Sequence, residues 1–65
     1  MKKIGELPFF GYRLIVMQEY TWLWDHNKYW LYIKNIENVT IYFKAANNIR
    51  RCIQYAMEWK NKNLS

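Results

Sequence analysis

A chain of 65 residues has room for one hydrophobic core, and one so short buries only about 60% of the surface its unfolded form exposes. Its single cysteine, Cys52, excludes an intramolecular disulfide, and with the single histidine, His26, it cannot build a tetrahedral zinc site, so large side chains must supply the stability: four Trp, six Tyr and three Phe make up 20% of the sequence. Ten Lys and Arg against five Asp and Glu leave a net charge of +5, which suits nucleic acid or an acidic protein surface, and no apolar run approaches the roughly 18 residues of a membrane-spanning helix.

Residues 1–11 hold both glycines and the only proline and read as an N-terminal arm. Glu6 and Pro8 interrupt what would be the apolar stretch of a signal peptide, and with one unpaired cysteine the expected compartment is the cytoplasm. From Tyr12 to Trp24 aromatic and β-branched residues dominate without a Gly, Pro, Asn or Ser, which is strand composition; Tyr12, Leu14, Val16, Tyr20, Trp22 and Trp24 share one face. That run is longer than a usual strand, so a break or bulge is expected near Gln18 and Glu19.

Asp25 to Lys28 forms the clearest turn, and a two-residue loop at His26 and Asn27 would set Trp24 against Tyr29, Trp22 against Leu31 and Glu19 against Lys34. A second turn at Asn35 to Asn38 places Ile33 across from Ile41 and Leu31 across from Phe43, the register that keeps the large aliphatic side chains together. After Lys44 the periodicity changes to that of a helix: Asn47 is its expected N-cap, and Ile49, Cys52, Ile53, Ala56 and Met57 form its apolar stripe, bordered by Trp59, with Arg50, Gln54 and Glu58 opposite. Residues 62–65 read as a polar tail. The expected fold is α+β: a three- to four-stranded antiparallel meander over residues 12–61 packed on one C-terminal α-helix.

One sheet face, with Tyr20, Trp22, Trp24, Tyr29, Leu31, Ile33, Val39, Ile41 and Phe43, is expected to meet the helix. The other interleaves Leu23, Trp30, Tyr32 and Tyr42 with Lys28, Lys34, Lys44 and Arg13, and a single helix leaves it uncovered. Cations neutralise phosphates and rings stack on bases, so this face suits nucleic acid, with Arg50 and Arg51 at the helix start as further phosphate contacts. A three-stranded sheet followed by one helix resembles, in element order alone, the DNA-binding arm domains of some mobile-element integrases. The sequence therefore reads as a small non-enzymatic binding protein of phage or mobile-element type; the alternative is a protein-binding regulator or inhibitor, as a homodimer or against a host protein, using the same face.

Catalytic chemistry finds little to build on. His26 sits beside Asp25 at a turn without a nucleophile in reach, Cys52 is expected on the buried side of the helix, and Glu6, Glu19, Asp25, Glu37 and Glu58 fall on separate elements. No glycine-rich phosphate loop, nucleophile elbow or metal-ligand cluster is present in the sequence, so no cofactor and no small-molecule substrate are expected.

Overall fold

The computed structural model describes residues 2–19 and 28–64. The turn expected at Asp25 to Lys28, with Tyr20, Trp22, Leu23, Trp24 and His26, lies outside the described residues except for Lys28. Four strands, β1 (Lys2–Phe9), β2 (Tyr12–Glu19), β3 (Lys28–Lys34) and β4 (Thr40–Ala46), form an antiparallel sheet in the order β1-β2-β3-β4, and one helix, α1 (Ile49–Asn63), packs against β2, β3 and β4. The α+β meander with a C-terminal helix is therefore the fold. No helix among the described residues is long and apolar enough to cross a membrane.

The segment read as an N-terminal arm is strand β1. Its breakers all have a place in a sheet: Pro8 sits on an edge strand, where a missing N–H costs no ladder bond, the register shifts at Gly5, and Gly11 closes the β1–β2 hairpin. That hairpin has a two-residue loop, Phe10 (φ 49°) and Gly11 (φ 85°), both left-handed as a type I′ turn requires. β2 ends at Glu19, where the sequence suggests a break.

The core lies between the sheet and α1: Leu14 and Val16 of β2, Leu31 and Ile33 of β3 and Ala46 of β4 face Cys52 and Ala56 of the helix, with Phe9 closing one end. Leu31, Ile33 and Cys52 are completely buried. The β2–β3 register differs from the expected one. Leu14 pairs with Ile33, Val16 with Leu31 and Glu19 with Lys28, so the aliphatic residues of β2 stand where Trp22 and its neighbours were expected, and the connection is longer than a two-residue loop.

The β3–β4 register starts as expected at Lys34–Thr40 and then shifts by one residue, so that Ile33 pairs with Tyr42 and Leu31 with Lys44. Ile41 is the extra residue of a β-bulge, and beyond it every β4 side chain changes face. Tyr42 and Lys44 consequently lie on the helix side and Phe43 on the other, the reverse of the sequence reading. Rings from the helix fill the space: Trp59 packs on Tyr12 (5.2 Å, edge-on) and Tyr42 (6.4 Å), and the Lys44 ammonium lies 4.3 Å from the centre of the Tyr55 ring.

The Asn48 side chain, not that of Asn47, caps α1 by accepting a 2.8 Å hydrogen bond from the Arg51 N–H, and the helix continues through Asn63 into the expected polar tail. Its inward face is Cys52, Tyr55, Ala56 and Trp59. Ile49, Ile53 and Met57, expected in the buried stripe, stay 45%, 52% and 41% exposed. Small residues at 52 and 56 let the helix approach Leu31 and Ile33 closely, and that approach decides its rotation.

Candidate functional site

Side chains alternate along each strand, so the residues between the buried ones of β2 and β3 emerge on the face opposite α1. Strand pairing orders them in rows: Lys3, Met17, Trp30 and Ala45; then Glu6, Ile15, Tyr32 and Phe43; then Pro8, Arg13, Lys34 and Thr40. Glu19 and Lys28 pair at one end. No described element covers this face, yet Ile15 is only 9% exposed, because the longer side chains around it form a continuous surface over it.

Three rings run diagonally across β3 and β4. Tyr32 and Phe43 stack at 6.3 Å with an interplanar angle of 28°, and Trp30 lies 6.4 Å from Phe43 at 39°. Phe43 is 62% exposed, an unusual position for a phenylalanine that the core could have taken. The Trp30 indole N–H donates a 3.0 Å hydrogen bond to Glu19 Oε2, which fixes the ring plane, and the Lys28 ammonium lies 5.2 Å from the ring centre. The ring row thus has Lys28 at one end and Lys34 at the other.

Beside it, Glu6 bridges Lys3 (2.9 Å) and Arg13 (3.0 Å). The hydrogen bond and charge of Lys3, joined by the charges of Arg13 and Lys34, hold the Glu6 carboxyl below its ordinary range, so it is ionised at neutral pH.

Of the residues singled out in the sequence, Trp30, Tyr32, Lys28, Lys34 and Arg13 share this face, whereas Tyr42 and Lys44 belong to the helix side. Arg50 and Arg51 are exposed on the first turn of α1; Arg51 reaches a shallow hollow that it shares with Lys28 and Tyr55 at the corner of the sheet, and so stands beside the face instead of on it. Phe43 and Glu6 belong to the face and were missed, Phe43 because the bulge reverses its side and Glu6 because its strand was read as an arm. The signal for β1 was present in Phe10 and Gly11, a glycine one residue past a pair of aromatics.

Cys52 lies on the buried side of α1, as its place in the stripe predicts, and burial pushes its thiol up. It is expected to resist iodoacetamide in the native protein at neutral pH and to react at the rate of a free thiol in urea; rapid native labelling, followed by mass, would show that α1 opens readily. Among the described residues, no group of three or more His, Cys, Asp or Glu side chains is placed to hold a metal ion. His26 and Asp25 lie outside the described residues. Compared with protein-family models, curated proteins and solved structures, the chain finds no match.

Proposed function

We propose that the protein binds single-stranded nucleic acid across the open sheet face, with successive bases stacking on Trp30, Phe43 and Tyr32 and with Lys28 and Lys34 neutralising phosphates at the two ends of that row. The supporting observation is the ring row itself: three aromatic side chains in mutual contact on an uncovered face, one of them a phenylalanine 62% exposed, between two lysines. Bases have π-faces to offer only where they are unpaired, so the ligand class is a single strand and not a duplex. Binding of a labelled oligothymidylate tests the reading. Affinity should fall with salt at a slope of about −0.7 per phosphate contacted, and Lys28→Gln and Lys34→Gln should each make that slope shallower by about 0.7. Absence of binding at about 50 mM salt removes the proposal.

A second reading, in which the same face meets a protein, draws on its mixed charges: Glu6 and Glu19 are both held among the rim residues, as in protein interfaces with an aromatic centre and a polar rim. Binding that ignores salt and strand, or a sedimentation mass of two chains that Phe43→Ala reduces to one, would select it.

A further inference from the structure

Next to Tyr32 the open face is concave. The hollow, about 480 Å³ in volume, runs from β1 across β2 and β3 to the β3–β4 loop, and its charged lining consists of Lys3, Glu6, Arg13 and Lys34. Arg13 and Lys34 stand directly opposite each other in the β2–β3 ladder, and like charges in that position destabilise a sheet. A carboxylate on only one side relieves them: Glu6 takes a single Nη1 hydrogen bond from Arg13 and one from Lys3, and makes no ion pair with Lys34. Arg13 therefore keeps its remaining guanidinium donors, and Lys3 and Lys34 keep ammonium donors, for another acceptor. Asn38 and Thr40 add polar groups on the far wall.

Charge decides which anion fits. Three cations and one carboxylate leave two positive charges in the hollow, and the neighbours of Glu6 keep it ionised, so that balance persists at neutral pH. A phosphodiester within a strand brings one negative charge; a phosphate monoester brings about 1.5 to 2 at pH 7. The second matches. The Tyr32 ring shares the lining of the hollow, which leaves it positioned to stack on the base that carries such a phosphate.

We infer that the hollow formed by Lys3, Glu6, Arg13 and Lys34 beside Tyr32 is a site for a phosphate monoester attached to a nucleoside, either the terminal phosphate of a strand or that of a free mononucleotide. The strand-end form rests on the nucleic-acid reading above; the mononucleotide form does not. In the strand-end form, stacking along the ring row starts from a fixed end, and the protein prefers ends to interior positions.

The test compares oligothymidylates bearing a 5′-phosphate, a 3′-phosphate or hydroxyls at both ends, together with thymidine monophosphate and thymidine, against the full chain. One of the two phosphorylated strands is expected to bind about tenfold more tightly than the hydroxyl strand, the equivalent of one charge-assisted hydrogen bond. Arg13→Gln and Lys3→Gln should each collapse that ratio toward one. Glu6→Gln should widen it, because the competing carboxylate is gone; a loss of the ratio in Glu6→Gln would make the carboxylate an organiser of the site instead of a competitor and would overturn the charge argument. Because the readout is a ratio within each variant, a general loss of affinity does not imitate the effect. Equal binding of all three strands refutes the site while leaving the nucleic-acid reading intact. Binding of thymidine monophosphate over thymidine with no strand bound supports the site as a nucleotide site and removes the nucleic-acid reading, and no binding of any probe removes both.

Discussion

Replacing Leu31 by alanine is expected to unfold the protein at room temperature. Leu31 is completely buried at the centre of β3, between Val16 on one side and Lys44 on the other, under the closest approach of α1. Truncating a buried leucine costs about 2–5 kcal/mol, the larger values arising where the surroundings cannot collapse into the cavity. Here the facing helix residues are Cys52 and Ala56, already too small to reach in. A domain under about 70 residues commonly has a total stability of only about 3–5 kcal/mol, so the loss is comparable to the whole. Far-UV circular dichroism and a urea titration give the outcome. Trp30→Ala is the control: one residue away on the same strand but pointing to the opposite side, it removes the contacts with Lys28, Phe43 and Glu19 and should leave a cooperative transition. Similar losses from both substitutions would mean that the two faces of β3 do not differ as described.

The alternation within β3 was legible because it is unambiguous: Tyr29, Leu31 and Ile33 can only share a face, and Lys28, Trp30, Tyr32 and Lys34 must take the other. The same holds for Tyr12, Leu14 and Val16. Strand β4 was not legible, because Thr40-Ile41-Tyr42-Phe43 offers a large side chain to either face, and the bulge that chooses between them is set remotely. In the β3–β4 loop the Asn35 side chain accepts hydrogen bonds from the N–H groups of Glu37 and Val39, and Asn38 takes φ 65°, which fixes the first pair at Lys34–Thr40 before the bulge moves the rest.

The helix shows a different limit. Hydrophobicity ranks Ile49, Ile53 and Met57 as its inner residues, but packing distance ranks Cys52 and Ala56 higher, and distance prevails where the opposing sheet face already carries Leu31 and Ile33. As a result the open face was found with most of its members and one error of parity: Tyr42 was assigned to it in place of Phe43, the most exposed of its three rings.

Phe43→Ala and Trp30→Ala are expected to weaken single-strand binding by about 1–3 kcal/mol each, or roughly 5- to 150-fold, the range for loss of one base-stacking ring. The two losses should not add fully, since the rings touch and removing one frees the other to move. Tyr42→Phe is the informative comparison. Its ring lies against Trp59 on the helix side, so affinity should stay at the wild-type value, whereas the sequence pattern alone assigns Tyr42 to the binding face and forecasts a loss. Fluorescence anisotropy of a labelled oligothymidylate, with the same sequence annealed to its complement as a second ligand, measures both effects; the duplex should bind more weakly because its bases are already stacked. If Phe43→Ala binds as tightly as wild type while Lys34→Gln is weakened, the contact is one of charge alone, and the exposed rings must then be explained by a protein partner.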